Sequence, residues 1–215
     1  HPCRWKYAVV EEFRPGQYMP IAEDKKGSYI FNSRDLCMIK HLPDLIETGI
    51  HSLKIEGRMK GINYLATTVK TYRDAIDAYY SQPRNFKVRE EWISELEKIN
   101  LRGYCTGFYF GHPDQVVPDY EKAKSPAGHR FAGIVLESSI GEDTKVGVRN
   151  KLFKGDTVEV FTRRGPSVHD HVLDIIDPDG KSIPFAQPGN RVTLRLEGRY
   201  FHNDLIRRLE SRSVH

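Results

Sequence analysis

The chain of 215 residues is long enough for one large domain or two small ones, and either can bury a real core. Its 33 basic and 29 acidic residues leave a formal charge of +4, which permits contact with nucleic acid without demanding it. The longest apolar runs are far too short to span a bilayer and no secretory leader is visible, so no membrane partner is expected.

The chain opens His1-Pro2-Cys3-Arg4-Trp5, without an initiator Met, and is expected to be a piece of something longer. Lys6–Glu12 predicts a strand, turned by Arg14-Pro15-Gly16, and Tyr18–Glu23 a second. Asp24-Lys25-Lys26-Gly27 has hairpin composition and leads into a third strand, Ser28–Asn32. Ser33 is a good N-cap for a helix over Arg34–His41, its hydroxyl free to accept an orphan amide. A strand end meeting a helix start at Asn32-Ser33-Arg34-Asp35 would offer amides and a favourable dipole to an anion. Plain capping explains Ser33 and Asp35 but not Asn32. Pro43 starts the next helical turn, Asp44–Thr48, and Gly49 ends it.

Ser52-Leu-Lys-Ile-Glu-Gly-Arg58 is the most informative stretch, because it places ionisable residues at every other position of a predicted strand, His51–Gly57. Alternation puts Lys54, Glu56 and Arg58 on one face and Leu53 and Ile55 on the other. Such a face suits a polar site; it equally suits a solvent-facing edge strand with a Lys–Glu pair, and strand chemistry does not separate the two. A long helix follows over Ile62–Tyr80, with Ile62, Leu65, Ala66, Val69, Tyr72, Ile76 and Tyr79 at helical spacing. On it Arg73 can reach Glu56 or a substrate anion, although a solvated helix-face charge is commoner. A second helix spans Arg89–Ile99, with Trp92, Ile93, Leu96 and Ile99 on one stripe. Strand and helix alternating in this way suggest part of an α/β sheet or barrel.

Past Gly107 the texture changes. His112–Gly128 is rich in Pro and Gly without periodicity, and predicts a linker between a unit of residues 1–120 and one of residues 121–215. Beyond it short alternating runs, Phe131–Glu137, Lys145–Arg149, Thr157–Thr162, His169–Ile176 and Arg191–Leu196, are separated by turns and predict a small β-barrel. The fold class is therefore α/β plus all-β. Lys151, Lys154, Arg163 and Arg164 lie near two of the turns and are candidates for phosphate contact, against the simpler reading that each merely solubilises its turn.

Three cysteines, Cys3, Cys37 and Cys105, cannot pair off completely, which suits a reducing, cytoplasmic setting or ligand thiolates better than a disulfide scaffold. Beside Arg4, Cys3 would have a lowered pKa suited to metal or cluster ligation, although a lone Cys is more often a small apolar residue. Cys37 is expected to face the core beside Leu36, and Cys105 to be structural. His169-Asp170-His171 puts two imidazoles on one strand face, where exposed polarity is favoured over zinc. No P-loop, GxGxxG, GxSxG or HExxH motif occurs, so nucleotide hydrolysis and serine or zinc hydrolysis have no support.

Cys3-Arg4-Trp5, Arg14-Pro-Gly-Gln-Tyr-Met19, Asn32-Ser-Arg-Asp-Leu-Cys37, Ser52-Leu-Lys-Ile-Glu-Gly-Arg58 and Tyr72-Arg-Asp-Ala-Ile-Asp77 occur in this order. With them the chain resembles the peptidase U32 family over essentially its whole length, most nearly the branch that hydroxylates tRNA. The resemblance implies the C-terminal portion of a TIM-barrel-like catalytic domain. After it would come a small β-barrel similar to the second domains of translation elongation factors, whose shared strand–turn–strand is Leu152–Val160. It implies a parent taking part in prephenate-dependent 5-hydroxylation of the tRNA wobble uridine with an iron–sulfur cluster. Cys3 matches the last of the family's four cluster cysteines; the other three would lie upstream, so this chain alone is expected to be inactive. Lys54, Glu56 and Arg58 would then be catalytic, with Asn32, Ser33 and Arg73 binding substrate and Lys151, Lys154, Arg163 and Arg164 binding RNA. The family also carries a collagenase-type peptidase label, which makes proteolysis of a collagen-like protein the alternative, although no nucleophile–base pair or metal triad is visible. A third reading is an RNA- or partner-binding module.

Overall fold

The computed structural model describes residues 8–10, 18–24, 27–30, 35–58, 60–100, 103–107, 109–110, 128–141 and 143–209. Cys3, Asn32 and Ser33 lie outside them, as do residues 111–127, most of the expected linker. β1 (Ala8–Val10), β2 (Tyr18–Asp24) and β3 (Gly27–Ile30) form a three-stranded antiparallel sheet in which Asp24 pairs with Gly27, as the hairpin composition requires.

The helix expected over Arg34–His41 does not form. Asp35–Leu36 make β4, a short strand parallel to β5 (Tyr104–Cys105), and Ile39–His41 make one 3-10 turn. The Asp35 amide donates to the Gly103 carbonyl at 3.2 Å and the Cys37 amide to the Cys105 carbonyl at 2.9 Å. This pairing with a distant segment outweighs the local capping signal, and with the helix start goes the dipole that would have drawn an anion to Ser33. Leu36 consequently faces solvent, while Cys37 does pack on the core. α1 (Leu42–Glu47) has Pro43 in its first turn and ends as expected, Gly49 taking φ +79° with its amide on the Ile46 carbonyl.

α2 (Ile62–Ser81) and α3 (Glu90–Glu97) stand where their periodicity put them. The stripe assigned to α2 is only partly its buried face. Tyr72 and Ile76 pack with Trp92 and Leu96 of α3 and with Ile39 and Leu42, but Ile62, Leu65 and Val69 are exposed. The helix buries Thr67, Thr68, Thr71 and Ala75 instead, small side chains that allow a close approach. Tyr72 accepts from the Met38 amide at 2.9 Å and donates to Cys37 Sγ at 3.7 Å; burial first, then Cys37, pushes its phenol up.

From residue 129 on, β6 (His129–Val135), β7 (Asp143–Val148), β9 (Thr157–Phe161), β10 (Val168–His171), β11 (Asp174–Ile176), β13 (Arg191–Arg195) and β14 (Leu205–Leu209) make an antiparallel sheet ordered β10-β9-β14-β6-β7-β13-β11. Its end strands β10 and β11 are consecutive in the chain, so the sheet curls until its edges meet at Val172-Leu173. There the Val172 amide reaches the Asp156 carbonyl and the Leu173 amide the Arg195 carbonyl, both at 2.9 Å. This is why His169–Ile176, read as one strand, is broken in two. Inside the curl, Val146, Val158, Val160, Ile175, Leu194 and Ile206 are fully buried. β8 (Leu152–Phe153) and β12 (Phe185–Ala186) form a separate two-stranded pair. Among the described residues no helix is long and apolar enough to cross a membrane.

Asp170 closes the curl. His169 and His171 alternate outward, and Asp170 turns in, 3% exposed, to accept from Tyr200 Oη at 2.5 Å and from the amides of His171, Glu197 and Gly198 at 2.6, 3.0 and 2.9 Å. Burial alone would raise its pKa, but these donors outweigh burial and hold the carboxyl below the usual aspartate range. A lowered folded pKa contributes stability that is complete above the unfolded value and is lost as pH falls through the folded one. Asp170→Asn should therefore cost about 1–3 kcal/mol at neutral pH, and the gap to wild type in urea unfolding should narrow below about pH 4.

Candidate functional site

Lys54, Glu56 and Arg58 share the solvent side of their segment and Leu53 and Ile55 the inner side, but the segment is not a strand. Residues 52–57 are extended, with burial alternating as expected, yet among the described residues no strand pairs with them. Extended backbone needs a partner to complete a ladder, and burial pattern alone does not supply one. Lys54 Nζ lies 3.9 Å from Glu56 Oε2, with side chains 88% and 75% exposed, and the Arg58 amide reaches Glu56 Oε1 at 3.5 Å. A Cβ at Gly57 would meet Leu65 Cδ2 at 2.2 Å, so any side chain there would displace the exposed end of Leu65. Arg73 reaches neither the segment nor a cleft; it pairs with Asp77 one turn on, at 2.6 Å. The arrangement therefore presents two exposed cations flanking a carboxylate, a surface that can hold an anion.

The four basic residues named from the turns fall in two places. Arg163 and Arg164 sit on the β9–β10 turn, which is held to α2 by Lys70 Nζ on the Gly165 carbonyl at 2.6 Å. Lys151 and Lys154 lie beyond the other end of β9, about 17 Å away at 3.4 Å per residue. Lys154 is engaged by Asp174 at 3.0 Å, and the Ser182 hydroxyl first and Lys154 second hold that carboxyl down at about 2. Lys151 has a different setting. Its ammonium stands 4.8 and 4.2 Å from the ring centres of Phe153 and Phe185, and its carbonyl accepts from Arg208 NH1 at 3.0 Å.

Cys37 and Cys105, adjacent across the β4–β5 pair, line a cleft of about 220 Å³ with Lys40, His41, Glu97 and Tyr104. Tyr104 donates to the Leu96 carbonyl at 2.8 Å, and burial, then Cys37, raises its pKa. Tyr64, near Asp35, is pushed up to about 12, by burial first and Asp35 second. The raised Tyr104 stays protonated near neutrality, so it offers the cleft a hydrogen-bonding hydroxyl and not a phenolate base.

Sequence reading missed Arg207. It lies on β14, is fully buried, and spends its guanidinium on four partners. Nε donates to Asn63 Oδ1 at 3.0 Å and NH2 to Thr67 Oγ1 at 2.7 Å, both on α2. NH1 donates to Glu95 of α3 at 2.7 Å and to Glu159 of β9 at 3.0 Å. Lys98 joins the same two carboxylates, at 2.7 Å from Glu95 and in a short hydrogen bond to Glu159, so two cations face two anions. Burial pushes the Glu95 carboxyl up, but Arg207 and Lys98 outweigh it and hold it low. The network joins α2 and α3 to the curled sheet. Nothing in Leu205-Ile-Arg-Arg-Leu209 marks the first arginine for burial, because its partners are remote in sequence.

Both halves match known proteins. Residues 1–118 fit the model described as peptidase family U32, and residues 127–207 fit that of the peptidase family U32 C-terminal domain. The chain belongs to peptidase family U32. It is 34% identical, over 96% of its length and 49% of the relative's, to tRNA hydroxylation protein P1 of Bacillus subtilis. It is 36% identical to tRNA hydroxylation protein P of Escherichia coli, over 88% of its length and 41% of that protein's. A Porphyromonas gingivalis protein named collagenase is 31% identical over 51% of the chain and 25% of its own length. The chain spans about half the length of the curated relatives it matches.

The Arg207 network makes a quantitative prediction. Arg207→Ala leaves Glu95 and Glu159 buried without their cation and should cost about 3–5 kcal/mol in urea unfolding, whereas replacing the buried ions together by apolar residues of similar volume should cost far less.

Proposed function

We propose that the parent protein takes part in 5-hydroxylation of the tRNA wobble uridine and that this chain contributes its tRNA-contacting C-terminal part. The observation that carries the reading is similarity running through both halves of the chain to relatives named tRNA hydroxylation proteins, 34% identical over 96% of its length in one case. In this reading residues 1–120 end a TIM-barrel-like catalytic unit. Residues 121–215 are a small β-barrel similar to the second domains of elongation factors, and the setting is cytoplasmic.

Within that reading Lys54 and Arg58 hold the carboxylates of a small dianion such as prephenate, Glu56 orients them, and Asn32 and Ser33 complete substrate binding, while Arg73 stays with Asp77. Each cation is open to solvent and would be strengthened on exclusion of water by substrate. The described residues do not fit an iron–sulfur cluster: Cys37 and Cys105 face Tyr72 and the cleft, and among them no group of three His, Cys, Asp or Glu side chains comes together. Cys3 is the one position in the chain proposed as a cluster ligand, with the remaining thiolates supplied from outside it. The collagenase-named relative keeps proteolysis as the second reading.

The test is nucleoside analysis of tRNA from cells lacking the full-length protein. 5-Hydroxylated uridine should disappear and return with the wild-type gene. Lys54→Ala and Glu56→Ala should each restore less than about a tenth of it, the loss expected when an interaction of about 1.4 kcal/mol or more is removed from the transition state, with thermal unfolding unchanged. Unaltered modification in the deletion strain, together with gelatin cleavage by the purified protein that is lost on Glu56→Ala, would give the function to the peptidase.

A further inference from the structure

We propose that Phe153 and Phe185, with Lys151 and Arg208, form a platform on which unpaired RNA nucleotides stack. The proposal deepens the tRNA reading above and names the feature of the RNA that this surface takes. Phe153 and Phe185 are directly opposed in the β8–β12 pair, as are Leu152 and Ala186. Alternation sends the second couple inward, where both are fully buried, and the two rings outward, where they remain 39% and 38% exposed. The rings lie 6.1 Å apart, centre to centre, and are inclined at 55°. The curl has its apolar filling without them, and each ring keeps more than a third of its surface open to solvent.

Cations surround the rings. Lys151 stands over both, at 4.8 and 4.2 Å, and the Arg208 guanidinium lies 6.0 Å from the centre of Phe153. Arg130 is the register partner of Arg208 on the neighbouring strand and is exposed. The Asp156 carboxylate accepts from the Phe153 amide at 2.8 Å. The surface thus offers apolar faces for bases and cations for the phosphates between them, the combination by which single strands are held without reading their sequence. A duplex keeps its base faces stacked inside and can use only the cations. An aromatic surface can also dock a proline-rich polypeptide, but such a chain brings no anions to a surface on which Lys151 stands over both rings.

The test measures binding of the 215-residue chain to a fluorescent unpaired oligouridine and to an RNA hairpin stem with the same number of phosphates. Wild type should bind both at low salt, weakening steeply as salt rises. Phe153→Leu/Phe185→Leu keeps apolar bulk and removes the ring faces. It should weaken oligouridine binding about tenfold or more and leave the stem within about twofold, with an unchanged circular dichroism spectrum. Photo-cross-linking of 5-iodouridine in the oligonucleotide should label the peptides carrying Phe153 and Phe185. Equal oligouridine affinity for wild type and double variant, or cross-links mapping elsewhere, would overturn the platform while in-cell hydroxylation left the tRNA reading standing. No RNA binding by wild type, with gelatin binding that the double variant loses, would overturn it in favour of a polypeptide partner.

Discussion

One buried arginine is the centre of the polar seam that joins the curled sheet to the two helices packed on it. Arg207 donates from the curled sheet into α2 and α3, and Glu159 of the sheet and Glu95 of α3 share it with Lys98. A guanidinium in a dry interior is costly unless its donors are met at good geometry. The network therefore has one arrangement that satisfies it, and that arrangement fixes α2 and α3 on the sheet. Apolar contact alone is less directional: the cluster of Ile134, Phe161 and Leu205, packed by Ala66 of α2, would tolerate a shifted helix. Specificity of docking comes from the charges, and the apolar contacts supply the area.

This placement separates the chain's charged surfaces by function. Lys70 lies over Phe161 and holds the β9–β10 turn, so Lys70 and that turn belong to the seam between helices and sheet. Lys151 and Arg208 stand at the other end of β9, against the rings of Phe153 and Phe185. The same residue type is thus structural at one end of a strand and available to a ligand at the other. Composition cannot distinguish the two, which is why a charge of +4 says little about partners.

What could be read from the residues tracks how local the determining interaction is. α2, α3, the Asp24–Gly27 hairpin, the glycine stop at Gly49 and most short strands depend on periodicity or turn chemistry within a few residues, and they stand where expected. The helix at Arg34–His41 failed because β4 found a partner seventy or so residues away, an interaction outside any local signal. The strand at His51–Gly57 kept its inward–outward alternation and lost only its ladder, since alternation belongs to the segment and a ladder to its neighbour. Strand β14 was invisible for a similar reason: a pair of arginines reads as surface, and only Glu95 and Glu159 make one of them interior. Lys151 was legible as a cation near a turn; its ring partner Phe185 was not, because cross-strand pairing brought it there.

The order of strands in the curled sheet also bears on how the molecule is assembled during synthesis. β14 is the last described strand, yet it lies between β9 and β6 in the middle of the sheet. While a ribosome is still making it, β6 and β9 each present an open edge of unpaired amides and carbonyls, and the carboxylate of Glu159 has no guanidinium. The sheet cannot be completed strand by strand behind the growing chain; it waits for Leu205–Leu209, and the docking of α2 and α3 waits with it. A nascent chain stalled before Leu205 carries two sticky edges, the form in which such a protein would meet a chaperone or aggregate.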